Sequence, residues 1–143
     1  MSRLPTPSSQ TTVLFHGTPL NRLPAILARG LINYSGTCLQ QNGAVHGTGI
    51  YMAEDPSTSF LYAPTSLSWK NSSLADMKLV LGCEVVGPGR VMDASRGIHV
   101  IHDEGSVMVR YLFLFPRGAA APVKNHIVTP MASAMCALRN GVV

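Results

Sequence analysis

Thr12-Val13-Leu14-Phe15-His16-Gly17-Thr18 is the stretch from which the fold is read. Residues 12–16 form a short run of β-type side chains that Gly17 ends, the pattern of a strand. Pro19 follows where a helix can begin, because its fixed φ suits a first turn. Leu20, Leu23, Ile26 and Leu27 then recur at helical spacing, and Gly30 after Arg29 supplies a stop. Pro24 is awkward for this helix, but it falls within about a turn of a start near Asn21. The chain thus passes from strand to helix with a histidine and a glycine at the junction.

Further along, residues 32–49 are polar and glycine-rich. A loop of that length in a compact domain tends to be functional. Ile50-Tyr51-Met52-Ala53 reads as a short strand, and Glu54-Asp55-Pro56-Ser57 as a helix start. That helix runs to about Tyr62 and ends before Pro64. After a polar loop at 64–75, residues 77–86 form a strong strand with Leu79, Leu81, Cys83 and Val85 on one face. Gly87-Pro88-Gly89 turns the chain, and residues 90–93 and 98–102 are short strands. Residues 107–115 are dense in β-branched and aromatic side chains and read as a core strand. Residues 118–122 form a linker-like turn, and residues 131–138 a weak last helix. The expected class is α+β, mainly antiparallel β with short helices. The expected organisation is a flexible tail at 1–11, one domain at 12–128, and a C-terminal tail or short helix at 129–143.

Composition agrees with a single globular domain. The chain has 143 residues, 46% hydrophobic and 13% charged, which is enough to bury a core without staples and too apolar for disorder. Net charge is +4, but the eleven Lys and Arg are spread from Arg3 to Arg139. With no basic patch and no readable motif, the sequence argues against nucleic-acid binding. The positive balance favours approach of an anionic ligand such as a dinucleotide. Cys38, Cys83 and Cys136 are odd in number, far apart, and form no C-x-x-C, so neither a disulfide framework nor a zinc site is implied. Reduced thiols point to an intracellular setting, cytoplasmic or nuclear. Residues 1–10 have no apolar segment of a secretory signal, and no apolar run reaches the length of a membrane span.

Two short motifs carry the chemistry, Phe15-His16-Gly17-Thr18 and Gly47-Thr48-Gly49-Ile50-Tyr51. In each, a polar ring sits on a strand beside a glycine, which permits close approach of backbone to a ligand. A strand-end histidine can donate to a ribose hydroxyl, and a tyrosine can stack on a flat heteroaromatic. Singly, both are weak: a lone histidine after apolar residues is more often packed or superficial. Gly47-x-Gly49 lacks the spacing of a phosphate loop. Joined by Met52-Ala53 and Ser57-Thr58-Ser59-x-x-Tyr62, however, the blocks resemble the catalytic domain of the poly(ADP-ribose) polymerase family, the diphtheria-toxin-like ADP-ribosyltransferases. The resemblance extends from about Thr12 to Phe115. It takes in Leu81-Gly82-Cys83-Glu84-Val85 and Val107-x-x-Arg110-Tyr111-Leu112. The segment from Gly30 to Ala44 is similar to the mono-ADP-ribosylating branch.

The resemblance implies NAD⁺ as substrate, with His16, Gly17, Thr18, Tyr51, Ser59 and Tyr62 as its binding residues. His16 matches the triad histidine that holds the adenine-side ribose through its 2′-hydroxyl. Tyr51 matches the triad tyrosine stacked on nicotinamide, and Tyr62 the second tyrosine on the ring's other face. Gly17 and Ser59 match the pair that fixes the carboxamide. Ser59 and Tyr62 stand at i and i+3, so one helix presents both to one pocket. The third catalytic position falls on Ile98, where polymerising members carry glutamate. Asp103 and Glu104 belong to the turn that follows. Isoleucine there implies transfer of a single ADP-ribose to an acceptor protein. An acidic acceptor side chain would need no general base.

No metal is implied: His99 and His102, three apart on a predicted strand, point to opposite faces. Trp69 reads as a lid or surface anchor. Three readings stand: an NAD⁺-dependent mono-ADP-ribosyltransferase, a module that binds NAD⁺ or ADP-ribose with little or no turnover, and a β-rich interaction domain.

Overall fold

The computed structural model describes residues 11–32, 49–65, 69–87, 90–93 and 95–141. The expected tail at 1–10, the loop at 33–48 with Cys38, Gly47 and Thr48, residues 66–68, and Pro88-Gly89 lie outside the described residues. The chain forms β1 (Thr11–Thr18), α1 (Leu23–Arg29), β2 (Ile50–Ala53), α2 (Pro56–Tyr62), β3 (Lys78–Val86), β4 (Arg90–Asp93), β5 (Ile98–Ile101), β6 (Val107–Phe115) and α3 (Lys124–Arg139). The strands make one sheet in the order β4-β5-β2-β1-β3-β6, and every neighbouring pair is antiparallel. The architecture is α+β, as the sequence implies.

The two-residue period of β1 and β3 sorts their side chains into two cores. On one face Leu14, Leu79, Leu81, Cys83 and Val85 pack with Ile50, Met52 and the Leu20, Leu23 and Ile26 side chains around α1. On the other, Phe15 and Val80 pack with Phe60 and Ala63 from α2 and Met131 and Met135 from α3. Leu79, Leu81, Cys83 and Val85 share a face as read. Val80 between them is equally buried, because helices cover both sides of the sheet.

Local chemistry sets the helix ends. Pro24 is accommodated because a 3₁₀ turn at Leu20–Arg22 precedes α1, which places the proline in the first α-helical turn. Gly30 ends α1 at φ +80°, where only glycine is unstrained, and its N–H donates to the Ile26 carbonyl at 2.7 Å. Asp55 caps α2, its Oδ1 accepting from the Ser57 N–H at 2.9 Å.

Two expectations need correction. β6 lies at the edge of the sheet; beyond Val107 its residues are only partly buried against the cores, and Leu112 is exposed. Its apolar residues serve both faces in turn. The register shifts opposite Gly82/Cys83, so Val109 faces Cys83 while Tyr111 faces Gly82, with Arg110 the extra residue between them. The last helix starts at Lys124, not near Met131, and the expected boundary at 128 falls inside it. Pro130 does not end it. Ile127 and Val128 before the proline and Met131 and Met135 after it form one stripe against the sheet, and this packing outweighs the hydrogen bond lost at the ring. Among the described residues, no helix is long and apolar enough to cross a membrane.

Candidate active site

The seam between β1 and β2 organises the site. β1 pairs with β3 along its whole length, but with β2 its register is confined to Phe15↔Ala53. Beyond that point a side chain makes the connection: His16 Nδ1 lies 2.7 Å from the Tyr51 carbonyl oxygen. A carbonyl only accepts, so Nδ1 carries the proton. Burial pushes the His16 pKa below its ordinary 6.5, the Tyr51 carbonyl pulls it back less, and the nearby Arg22 charge lowers it further. The ring is therefore neutral near pH 7, with its lone pair on Nε2. Nε2 has no hydrogen-bond partner among the described residues. The expected role is a donor; in this tautomer the remaining ring nitrogen of His16 is an acceptor.

Strand alternation divides the remaining residues. His16 and Thr18 share the α1 side with Leu14, and Thr18 is buried opposite Leu79. Gly17 and Tyr51 lie on the α2 side with Phe15 and Ala53. A Cβ at Gly17 would overlap the Ser59 carbonyl oxygen and sit 2.9 Å from the Ala63 nitrogen. The glycine thus lets α2 rest directly on β1, which brings Ser59 against the strand. Ser59 is 3% exposed and Tyr62 54% exposed. The i, i+3 pair therefore has one member under the helix and one at its open end.

Ile98 is buried in β5 opposite Ala53, on the Tyr51 side of the sheet. It offers no hydrogen-bonding group. Asp103 is occupied in the following turn, where its Oδ1 accepts from the Gly105 N–H at 3.0 Å. Across the β4 edge Asp93 is the register partner of Ile98; on the β2 side another acid, Glu54, follows directly after the strand, and the sequence reading gave it no side-chain role. Glu54 Oε1 lies 2.8 Å from His99 Nε2, and the Glu54 N–H donates to the Gly97 carbonyl at 2.9 Å. His99 is opposite Met52, so this clasp sits on the face away from Ile98. His102 lies beyond the strand and is exposed. Among the described residues, no three His, Cys, Asp or Glu side chains gather as metal ligands.

A second pair that sequence reasoning missed lies on the opposite face, between β3 and β6. Glu84, 2% exposed, accepts through Oε2 from Arg110 Nε at 3.0 Å, and the same oxygen pairs with Arg110 Nη2 at 3.0 Å. Nothing in the linear pattern reveals it, because the bulge in β6 is what brings Arg110 beside Glu84. Cys83 is buried and its pKa is pushed up to about 12, so its thiol stays protonated. Trp69 begins the turn before β3, partly exposed with φ +57°.

The candidate site is thus an antiparallel sheet whose two central strands share one register pair, with a neutral histidine on one strand and a tyrosine on the other. Residues 4–106 match the family described as Poly(ADP-ribose) polymerase catalytic domain, and the chain belongs to that family of NAD⁺-using ADP-ribosyltransferases. It is similar to Protein mono-ADP-ribosyltransferase PARP8 of Mus musculus, 40% identical over 63 residues, and to the Homo sapiens protein of the same name, 38% identical over 63 residues. Each match covers 44% of this chain and 7% of the relative's length.

Proposed function

We propose that this domain binds NAD⁺ across the β1–β2 seam and transfers one ADP-ribose unit to an acceptor, releasing nicotinamide. The observation that carries the reading is the His16–Tyr51 tether, which leaves a lone pair on Nε2 at the mouth of the seam. Nε2 accepts from a ribose 2′-hydroxyl. On the α2 side, Tyr51 and Tyr62 flank the nicotinamide ring, while the Gly17 backbone and Ser59 fix its carboxamide. Thr18 supports the strand end beside His16. The substrate supplies a glycosidic bond to a good leaving group. The protein's own residues orient that bond and exclude water from it.

Ile98 has no atom that could polarise a second hydroxyl, and this argues for one unit rather than a chain. An acidic side chain on the acceptor protein attacks as a carboxylate without a base. Incubation with labelled NAD⁺ tests the reading. The protein acquires label in single-unit mass increments, and His16→Ala and Tyr51→Ala lose it while retaining their fold by circular dichroism. Label in ladders of several units overturns single transfer. Label exclusively on hydroxyl acceptors overturns the carboxylate step.

A second reading is favoured by Ile98 together with the engagement of Glu54 by His99: a domain that binds NAD⁺ or ADP-ribose and hardly turns it over. In that case both ligands raise thermal stability, and no label is incorporated.

A further inference from the structure

Helix α2 carries both Ser59 and Tyr62, yet it is seven residues long, too short to hold its shape alone. Its start is fixed by Asp55 and its middle rests on Gly17. Its last turn contains no basic residue of its own to offset the carbonyl end of the helix dipole. The cation comes from another element. Lys78, the first residue of β3, turns toward α2. Its Nζ lies 4.4 Å from the centroid of the Phe60 ring and donates to the Phe60 carbonyl at 3.4 Å. The Phe60 ring also meets Phe115 edge-on, with centroids 5.1 Å apart, and Lys78 is paired with Phe115 across the sheet. Charge, ring and carbonyl thus converge on the one turn of α2 that separates Ser59 from Tyr62.

We propose that Lys78 is a positioning residue for the nicotinamide end of the site: it clamps the last turn of α2 and so sets Ser59 and Tyr62 against Gly17 and Tyr51. The inference rests on the nucleotide reading above. Without the clamp, the turn frays and only a fraction of molecules presents both walls. Apparent affinity falls by that fraction. A ligand held on the His16 side of the seam does not sense the change, because Lys78 lies on the other face.

Calorimetric titration of the whole chain with two probes, 3-aminobenzamide and ADP-ribose, tests this. Lys78→Met, which keeps the stem and removes the charge, weakens 3-aminobenzamide binding by about threefold or more, the scale of a lost helix-end charge and ring contact. It leaves ADP-ribose binding unchanged. Lys78→Arg restores both, because a guanidinium can also bond a carbonyl and lie over a ring. Lys78→Gln behaves as Lys78→Met. Unchanged benzamide binding in Lys78→Met, or equal weakening of both probes, overturns the assignment, and so does failure of both uncharged variants to fold. A wild-type chain that binds neither probe overturns the nucleotide reading, and the role of Lys78 with it.

Discussion

His16 does two jobs with one ring: Nδ1–H closes the seam on the Tyr51 carbonyl, and Nε2 is left as an acceptor. The first survives protonation, but the second needs the neutral form, and burial enforces it by pulling the pKa below 6.5. The consequence for stability has a definite sign. In the window between the lowered folded pKa and the unfolded value of 6.5, the unfolded chain binds more protons, so stability rises with pH there. The contribution is complete above pH 6.5 and is lost as the pH falls below it. Urea midpoints of the wild type and His16→Ala, compared across pH, show this as an advantage of the wild type that shrinks on the acid side. An advantage constant through pH 6.5, or growing as pH falls, would sink the account. The sequence places His16 beside Gly17 on a strand. It could not show which nitrogen is engaged, because the partner is a backbone carbonyl 35 residues away. Tyr51 could be named for its ring, but its carbonyl carries no sequence signal.

At the scale of elements, regular periodicity was legible and changes of phase were not. The short strand Ile50–Ala53 and the capped helix Pro56–Tyr62 follow from local pattern and turn chemistry, whereas β1 runs on through Gly17, read as its end, to Thr18 because β3 pairs with it there. β6 defeats that logic because one bulge exchanges the faces of Val109 and Tyr111, and because its edge position depends on sheet order. The same bulge makes the Glu84–Arg110 pair. Breaking a buried pair costs more when the more deeply buried charge is the one left behind. Glu84 is 2% exposed at its side chain and Arg110 26%. Arg110→Met therefore destabilises the chain by about 3 kcal/mol or more, and Glu84→Gln by less, as measured by equilibrium urea denaturation. The reverse order would mean that the pair does not govern this part of the sheet. α3 was misread for a related reason: Pro130 signals a boundary locally, while the stripe of Ile127, Val128, Met131 and Met135 that overrides it needs a sheet to pack on.

For the whole molecule, the arrangement of two cores on opposite faces of one sheet decides how a ligand must lie. His16 belongs by alternation to the α1 face, whereas Gly17, Tyr51 and Ser59 gather on the α2 face. A dinucleotide that uses all of them, as proposed, reaches across the seam from one face to the other. This was not legible in the motifs, which name the residues but not the side of the sheet each occupies. The two halves of the ligand then have separate places, and a nicotinamide mimic and ADP-ribose bind together. Each alone at one hundred times its dissociation constant stabilises the fold by about 2.7 kcal/mol. Independent places make the two effects add, to about twice that value. A shared place gives only RT ln 2 beyond either one, about 0.4 kcal/mol. Thermal unfolding with 3-aminobenzamide, with ADP-ribose, and with both separates these cases. The seam-crossing arrangement requires the shift with both ligands to approach the sum of the two. A combined shift scarcely larger than either alone would place both ligands on one face and refute it.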